Sequence, residues 1–259
     1  MGGSGHTAAS AVSESETIEI DAHLVPQNAV LVAVRFGEAD EAVPARFANI
    51  EMPSSVASAL PRRRIEFAAG RYCAREALRA CASEVAHEVV AMGDEREPIW
   101  PRGVVGSISH TRGIAAALVG REKDFRGLAV DIERWMDDAA PARIGSKIVD
   151  AGELESLVDA TQWRAEDLLT LVFSAKECIY KALHREVGRY FGFHAARIES
   201  VDVNARTWSG TIRERLTDAI GAGFRCEGRF ARDERVLITT MAAGTSRAGA
   251  SAGESASRR

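Results

Sequence analysis

The 259-residue chain lacks the features that mark several large classes of protein. It has no G-x-x-x-x-G-K-[ST] loop and no G-x-G-x-x-G run, so the common modes of NTP and dinucleotide binding have no support. No apolar run approaches the ~18 residues that would suggest a membrane span. The first residues show no basic region followed by an apolar one, so no secretory signal peptide is expected.

Cysteine is scarce, and charge of one sign is not in large excess. The four cysteines form no C-x-x-C motif and are not paired with histidine at zinc-finger spacing, which favours free thiols in a reducing cytoplasm. The formal net charge is −4 with both signs well mixed, so no basic field points to nucleic acid. The composition is 46% hydrophobic and 27% charged, as in an ordinary globular protein.

The distribution of apolar residues predicts two tails and a folded middle. Residues 1–16 and 243–259 are poor in large apolar side chains and are predicted to be disordered tails. Between them, strand and helix periodicities alternate in an order that occurs roughly twice, which predicts an α+β fold with two halves, 17–125 and 126–242. The predicted strands are 29–36, 104–110, 114–119, 127–133, 197–204, 207–213, 224–231 and 235–241. The predicted helices are 64–83, 140–159 with a break near Gly152, and 164–187.

The predicted strand 127–133 carries two acids on one face. Residues alternate between faces, so Leu128, Val130 and Ile132 form an apolar face and Asp131 and Glu133 point the other way. The Cα atoms of the two acids lie roughly 7 Å apart, and their charges repel unless a cation such as Mg²⁺ lies between them. Taken alone, the strand is better interpreted as a solvated acidic edge strand. Its short connection to the hairpin before it predicts a three-stranded antiparallel meander.

Three further features carry candidate functional groups. Arg64, Arg71, Arg75 and Arg79 recur along one face of the first long helix, either as a solvated basic face or as a row that binds phosphate. Ser109 and His110 end a strand beside a glycine-containing turn, where the histidine is either structural or a phosphate ligand. On the last helix Glu177 and Lys181 are four residues apart, which is the spacing of an ordinary surface ion pair.

The chemistry of these groups becomes coherent when they are combined. Three carboxylates, of Asp131, Glu133 and Glu177, suit a Mg²⁺ ion that also binds a diphosphate. Lys176, Lys181 and the arginines would neutralise further phosphate charge, and a carboxylate near the metal could take a proton from an attacking hydroxyl. The substrate predicted by this set is a polyphosphorylated, nucleotide-like molecule.

The order of four motifs resembles a known family, the monomeric two-half 4′-phosphopantetheinyl transferases, close to the enterobactin-synthase-component group. The resemblance covers about residues 61–183. The motifs are, in order, RRRIEFAAGRYCAREAL, PIWPRGVVGSISHT, GLAVDIE and FSAKECIYKAL.

The resemblance implies two pseudo-symmetric halves, each with a mainly antiparallel sheet and a long packed helix. It implies transfer of phosphopantetheine from coenzyme A to a serine of an apo acyl, peptidyl or aryl carrier protein, with release of adenosine 3′,5′-bisphosphate. It also implies a cytoplasmic monomer. The carrier, whether of siderophore, polyketide or fatty-acid synthesis, is left open.

Matched residue by residue, the resemblance implies a role for each candidate. Asp131, Glu133 and Glu177 would bind Mg²⁺, with Glu177 also the base for the carrier serine and Lys181 at the coenzyme A diphosphate. The other implied coenzyme A contacts are Arg63, Arg64, Arg71, Ser109, His110 and Lys176. Two departures are Ile132, in the middle of the metal motif, and Glu95-Arg96, where some relatives carry a lysine.

Two alternatives remain open at the sequence level. The chain could be a binding or scaffold protein that keeps a coenzyme A pocket without catalysis. It could instead be a Mg²⁺-dependent hydrolase of nucleotide diphosphates, which would need no acceptor protein.

Overall fold

A computed structural model describes residues 16–38 and 42–244; the predicted tails therefore lie almost entirely outside the described residues. The strands within these ranges are β1 Glu16–Thr17, β2 Ala29–Arg35, β3 Ala91–Met92, β4 Pro98–Ile99, β5 Val104–Thr111, β6 Ile114–Arg121, β7 Phe125–Arg134, β8 Ala196–Asp202, β9 Thr207–Ile212, β10 Arg225–Arg232 and β11 Val236–Gly244. The helices are α1 Ser54–Ala57, α2 Pro61–Cys81, α3 Ala140–Ile148, α4 Glu153–Thr161 and α5 Ala165–Val187. None of the helices in these ranges has the length and apolar character needed to cross a membrane.

Two antiparallel sheets organise the molecule. The first has the strand order β1-β2-β6-β5 and carries α2; the second has the order β7-β11-β10-β9-β8 and carries α5. Strands β3 and β4 form a separate two-stranded ribbon. The α+β class, with antiparallel sheets and a long helix on each, is confirmed. The division into 17–125 and 126–242 stays a prediction, and β11 extends to Gly244, two residues beyond the predicted end of the second half.

The long helices begin and end where the sequence provides the signals. Helix α2 begins at Pro61, earlier than predicted, because proline at the first helical position loses no hydrogen bond. Helix α5 ends at Val187 and is capped by Gly188, whose φ of 65° suits a left-handed cap. Gly152, with a φ of 74°, separates α3 from α4, so the predicted break is confirmed. The predicted apolar stripe of α5, from Leu168 to Leu183, is buried.

The predicted meander of three strands is wrong, because β7 leaves the sheet of the hairpin that precedes it. It pairs with β11 of the second sheet, with Asp131 opposite Thr239 and Glu133 opposite Leu237. Both faces of β7 are buried, with Val130 and Ile132 in the core that joins the sheets and Ala129 in the core under α5. The expectation of a solvated acidic face is therefore also wrong.

A shared hydrophobic core holds the two halves together. Ala116 and Leu118 of the first sheet lie in the same cluster as Leu128 and Ile132 of the second. Two further cores lie under α2 and under α5. All four cysteines are free thiols, and Cys73, Cys178 and Cys226 are buried. Because one core spans both sheets, the seam between them is a fixed part of the fold.

The close approach of β7 to α5 depends on a glycine. A Cβ atom on Gly127 would overlap the backbone carbonyl of Ala182, which cannot move without shifting the helix. We expect Gly127→Ala to lower the free energy of unfolding by about 2 kcal/mol or more, as overpacking does in a well-filled core. Gly145→Ala is the control, because nothing lies within 4 Å of a Cβ atom at that position in α3. It should be neutral or stabilising in the same urea titration; equal losses from both changes would contradict the steric explanation.

Candidate active site

Two serines of β5 connect the edges of the two sheets. The hydroxyl of Ser107 accepts a hydrogen bond from the Val130 amide at 2.6 Å, and that of Ser109 accepts one from the Ile132 amide at 3.2 Å. These hydroxyls take the place that carbonyl oxygens of a neighbouring strand would occupy in a regular sheet. They fix β5 beside β7 and bring Ser109 next to Asp131.

Asp131 lies at the centre of a polar network in this seam. Its Oδ1 accepts from Lys181 Nζ at 2.6 Å and from Ser109 Oγ at 3.0 Å, and its Oδ2 accepts from Ser174 Oγ at 2.7 Å. Asp131 is only 3% exposed. Burial disfavours the charged amine, but the neighbouring groups, led by the Asp131 carboxylate, together outweigh burial and raise the pKa of Lys181. Lys181 is therefore held as a cation against Asp131, not in the predicted pair with Glu177.

The side chains of Glu133 and Glu177 face the same region. Burial, followed by the charge of Asp131, raises the pKa of Glu133 to about 8, and Glu177 adds to the shift. Burial also raises the pKa of Glu177, where Lys181 opposes the shift and Asp131 adds to it. The three carboxylates predicted to share a site therefore lie close enough to repel one another, with Lys181 among them.

A divalent cation suits this donor set chemically, although the side chains do not form a ready-made cage. Across residues 16–38 and 42–244, no group of three or more His, Cys, Asp or Glu side chains is arranged to hold a metal ion. The physical reason is that both oxygens of Asp131 are engaged by the serines and by Lys181. The charge of Asp131 nevertheless adds to the raised pKa of both Glu133 and Glu177, and carboxylates crowded in this way are the hard oxygen ligands that Mg²⁺ prefers.

A cluster of cationic groups lies at the end of β5. Nη1 of Arg63 lies 3.0 Å from Nε2 of His110. Burial lowers the pKa of Arg71 to about 10, and the charge of Arg63 adds to the shift, so these guanidinium groups lie close enough to repel. The buried Nε atoms of Arg64 and Arg71 have no hydrogen-bond partner among the described residues. Arg71 also donates from Nη2 to the Ala91 carbonyl at 3.1 Å. Buried Nε–H donors without partners, beside two guanidinium groups that repel each other, are features of a site for an anion.

The rest of the predicted arginine row is used differently. Arg75 and Arg79 both donate to Glu76 at the surface of α2, at 3.3 and 2.8 Å. They therefore belong to an exposed ion-pair cluster and not to the cationic group around His110. The structure thus divides the row into a partly buried end and a solvated end.

Lys176 is not brought to this site, which corrects the expectation of a phosphate contact. Its amine donates to the Ile148 carbonyl at 2.7 Å and to Glu153 Oε2 at 3.0 Å, and the side chain is fully buried. Glu153 also accepts from the Ile198 amide at 2.8 Å. Neighbouring residues on an α-helix point about 100° apart, so Lys176 and Glu177 face different surroundings. The charge of Lys176 is already balanced by a structural ion pair.

A large cavity opens beside Lys181, between the two halves. Its volume is about 870 Å³, and its walls come from the loop 95–102, the beginnings of β5 and β7, and the last turns of α5. Arg96 lies on the wall, where the sequence departs from a lysine. The indole Nε1 of Trp100 and the Glu97 Oε2 are buried there without a hydrogen-bond partner. Such polar atoms are available to a ligand.

Three contributors to this arrangement were not among the predicted site residues. Ser107 lies on the same strand face as Ser109, and Ser174 lies about two turns before Lys181 on α5. Their spacing from predicted site residues therefore indicated which face of each element is turned to the site. Glu66 lies four residues after Arg62, which donates to it at 2.7 Å, and it also faces His110. Nothing in the spacing indicated that Glu66 meets a histidine 44 residues later.

The comparisons with known proteins agree on a family. The 4′-phosphopantetheinyl transferase N-terminal domain matches residues 51–120, and the 4′-phosphopantetheinyl transferase superfamily matches residues 127–226.

Individual relatives show the same likeness. The chain is 36% identical to enterobactin synthase component D of Salmonella typhimurium over 56% of this chain, and it spans 58% of that protein. It is 35% identical to the 4′-phosphopantetheinyl transferase Npt of Nocardia iowensis, over 62% of this chain and 71% of Npt. With the 4′-phosphopantetheinyl transferase Svp of Streptomyces mobaraensis the identity is 33%, over 74% of this chain and 77% of Svp. With these matches on both halves, the chain belongs to the 4′-phosphopantetheinyl transferase superfamily.

Proposed function

We propose that this protein transfers the 4′-phosphopantetheine moiety of coenzyme A to a serine of an apo carrier protein, in a Mg²⁺-dependent reaction that releases adenosine 3′,5′-bisphosphate. One observation carries the proposal. Asp131, Glu133 and Glu177 converge with Lys181 on a seam that has a cationic cluster on one side and a large cavity on the other. The names of the relatives add the class of reaction.

The donor would lie across the seam. Arg63, Arg71 and His110, with Arg64 next to Arg63 on α2, would take the 3′-phosphate, because the buried Nε atoms of Arg64 and Arg71 have no hydrogen-bond partner. Ser109 and Lys181 would meet the diphosphate. A cavity of about 870 Å³ lies within the usual size range of small-molecule sites, and it would accommodate the part of the donor on the other side of the diphosphate, the pantetheine arm.

Mg²⁺ would be held by Asp131, Glu133 and Glu177, and it would supply charge neutralisation to the diphosphate. The protein's own groups would do the rest. Lys181 would move from Asp131 towards the phosphates and balance the charge that develops on the departing bisphosphate. Glu177 would accept the proton of the carrier serine, directly or through a water. Its buried position, which raises its pKa, suits a proton acceptor.

The proposed setting is a monomer in the cytoplasm. The four cysteines are free thiols, as expected of a protein in a reducing compartment. Both walls of the cleft come from one chain, which is consistent with a monomer. The carrier belongs to the acyl, peptidyl or aryl class, and its pathway is open, with siderophore synthesis suggested by the relative's name.

The test follows the intact mass of the acceptor. The protein is incubated with Mg²⁺, coenzyme A and each of a panel of apo acyl, peptidyl and aryl carriers. At least one carrier should gain the phosphopantetheine arm, and chelation of the metal should stop the gain. Absence of transfer to every carrier, with coenzyme A binding retained, would favour a non-catalytic binding protein. Release of phosphopantetheine without any carrier would favour a hydrolase.

A further inference from the structure

Glu66 is a buried acid of α2 that the proposed reaction does not use. Its carboxylate lies between two partners: Oε1 accepts from Arg62 Nε at 2.7 Å, and Oε2 lies 3.7 Å from Nδ1 of His110. Glu66 is 7% exposed. A buried carboxylate is costly unless it is paired, so its position beside a candidate phosphate ligand calls for an explanation.

The contact between Arg63 and His110 determines which ring nitrogen carries the proton. A guanidinium group can only donate hydrogen bonds, so Nε2 of His110 must accept from Arg63 Nη1 at 3.0 Å. In the neutral ring the proton is then on Nδ1, the nitrogen that faces Glu66. Arg63 thus hydrogen-bonds one side of the ring, and the Glu66 carboxylate lies at ion-pair distance, 3.7 Å, from the nitrogen on the other side.

We propose that Glu66 is a positioning residue for anion recognition: it orients His110 so that Nε2 lies beside Arg63. When coenzyme A binds, Arg63 turns its donor from the ring to the 3′-phosphate, and Nε2, protonated from solvent, donates to the same phosphate. This inference rests on the proposed function, because it takes coenzyme A as the ligand. The charged groups that face the ring are Glu66, Arg62 and Arg63 from α2 and Lys181 from α5. Glu66 is the only anion among them, and it offsets their repulsion of a cationic ring when the phosphate is bound.

The preference for a donor with a 3′-phosphate is a readout that would not change if Glu66 only stabilised the fold. KM and kcat are measured for coenzyme A and for 3′-dephospho-coenzyme A, with one apo carrier and Mg²⁺. The native protein should prefer coenzyme A. Glu66→Gln should raise KM for coenzyme A about tenfold, the order expected when one charge-assisted hydrogen bond, that of His110 to the phosphate, is lost. It should leave kcat and the KM for 3′-dephospho-coenzyme A within about twofold.

Four further variants identify the route of the effect. Glu76→Gln makes the same change on the same helix, at the surface ion pairs with Arg75 and Arg79, and should leave the preference unchanged. His110→Ala should lose the preference, and adding Glu66→Gln to it should change nothing more if Glu66 acts through the ring. Glu66→Asp keeps the charge on a shorter side chain and should give an intermediate preference. It serves as the readout if Glu66→Gln does not fold.

Several outcomes would overturn the inference. The preference for coenzyme A could persist in Glu66→Gln, or both donors could lose affinity equally. Tighter binding of coenzyme A by Glu66→Gln would show that the carboxylate only repels the phosphate. An additional loss in the double variant would show that Glu66 acts by another route. If the native protein transferred from neither donor, the proposed function itself would be contradicted, and with it the donor on which this inference depends.

Discussion

Glu177→Gln is expected to lower the rate of carrier modification about a thousandfold, the order expected when a general base is removed. Glutamine keeps the size of the side chain but accepts no proton at neutral pH, and it also removes one proposed metal ligand. The fold should remain intact, because the core under α5 is formed by other residues of the helix, including Leu168, Val172 and Ile179. The rate is measured by intact mass of the carrier at saturating coenzyme A, and folding by thermal unfolding.

A matched control distinguishes an effect at the candidate site from a general effect of replacing glutamate by glutamine. Glu155→Gln makes the same change on the exposed surface of α4 and should retain full activity. Coenzyme A binding without Mg²⁺ should survive in both variants, because the cationic cluster around Arg63 is not altered. More than a tenth of the native rate in Glu177→Gln would show that another group takes the serine proton.

The elements of the fold were largely predictable because their signals are local. The stripe of α5, the break at Gly152 and the hairpin of β5 and β6 follow from spacing and turn residues within short windows. The sheet that β7 joins was not predictable in this way. Alternation fixes which side chains share a face, but it does not say which strand lies at the edge, and β11 begins more than 100 residues later.

The candidate site shows the same division between local and distant information. The spacing of Glu177 and Lys181 placed them on one helix face, yet Lys181 binds Asp131, whose distance along the chain hides the contact. The family resemblance implies a coenzyme A contact for Lys176, but its partner Glu153 comes from α4. The buried pairing of Lys176 depends on which helices pack together, and the approach of Glu66 to His110 depends on how α2 packs on β5. No periodicity encodes either contact.

Asp131→Ala is expected to reduce stability as well as activity, contrary to what a solvated strand face would give. The substitution leaves the Lys181 ammonium and the hydroxyl of Ser174 without their main partner in a buried seam. Removing one member of a buried ion pair costs about 3 kcal/mol; the lower end of the usual range applies because Lys181 is partly exposed. The free energy of unfolding is measured by urea titration, and carrier modification should be lost in parallel.

The double variant Asp131→Ala/Lys181→Met tests the cause of this loss. If the unpaired ammonium is responsible, removing it should recover most of the lost stability, whereas activity should stay absent because both groups belong to the proposed site. Glu227→Ala removes one member of an exposed ion pair with Arg225 and should change stability by no more than about 0.5 kcal/mol. A stable single variant would show that the network around Asp131 contributes little to folding. A double variant that unfolds as easily as a destabilised single variant would show that the unpaired ammonium is not the cause of the loss. Recovery of stability without activity would instead show that one carboxylate serves both the seam between the sheets and the chemistry proposed there.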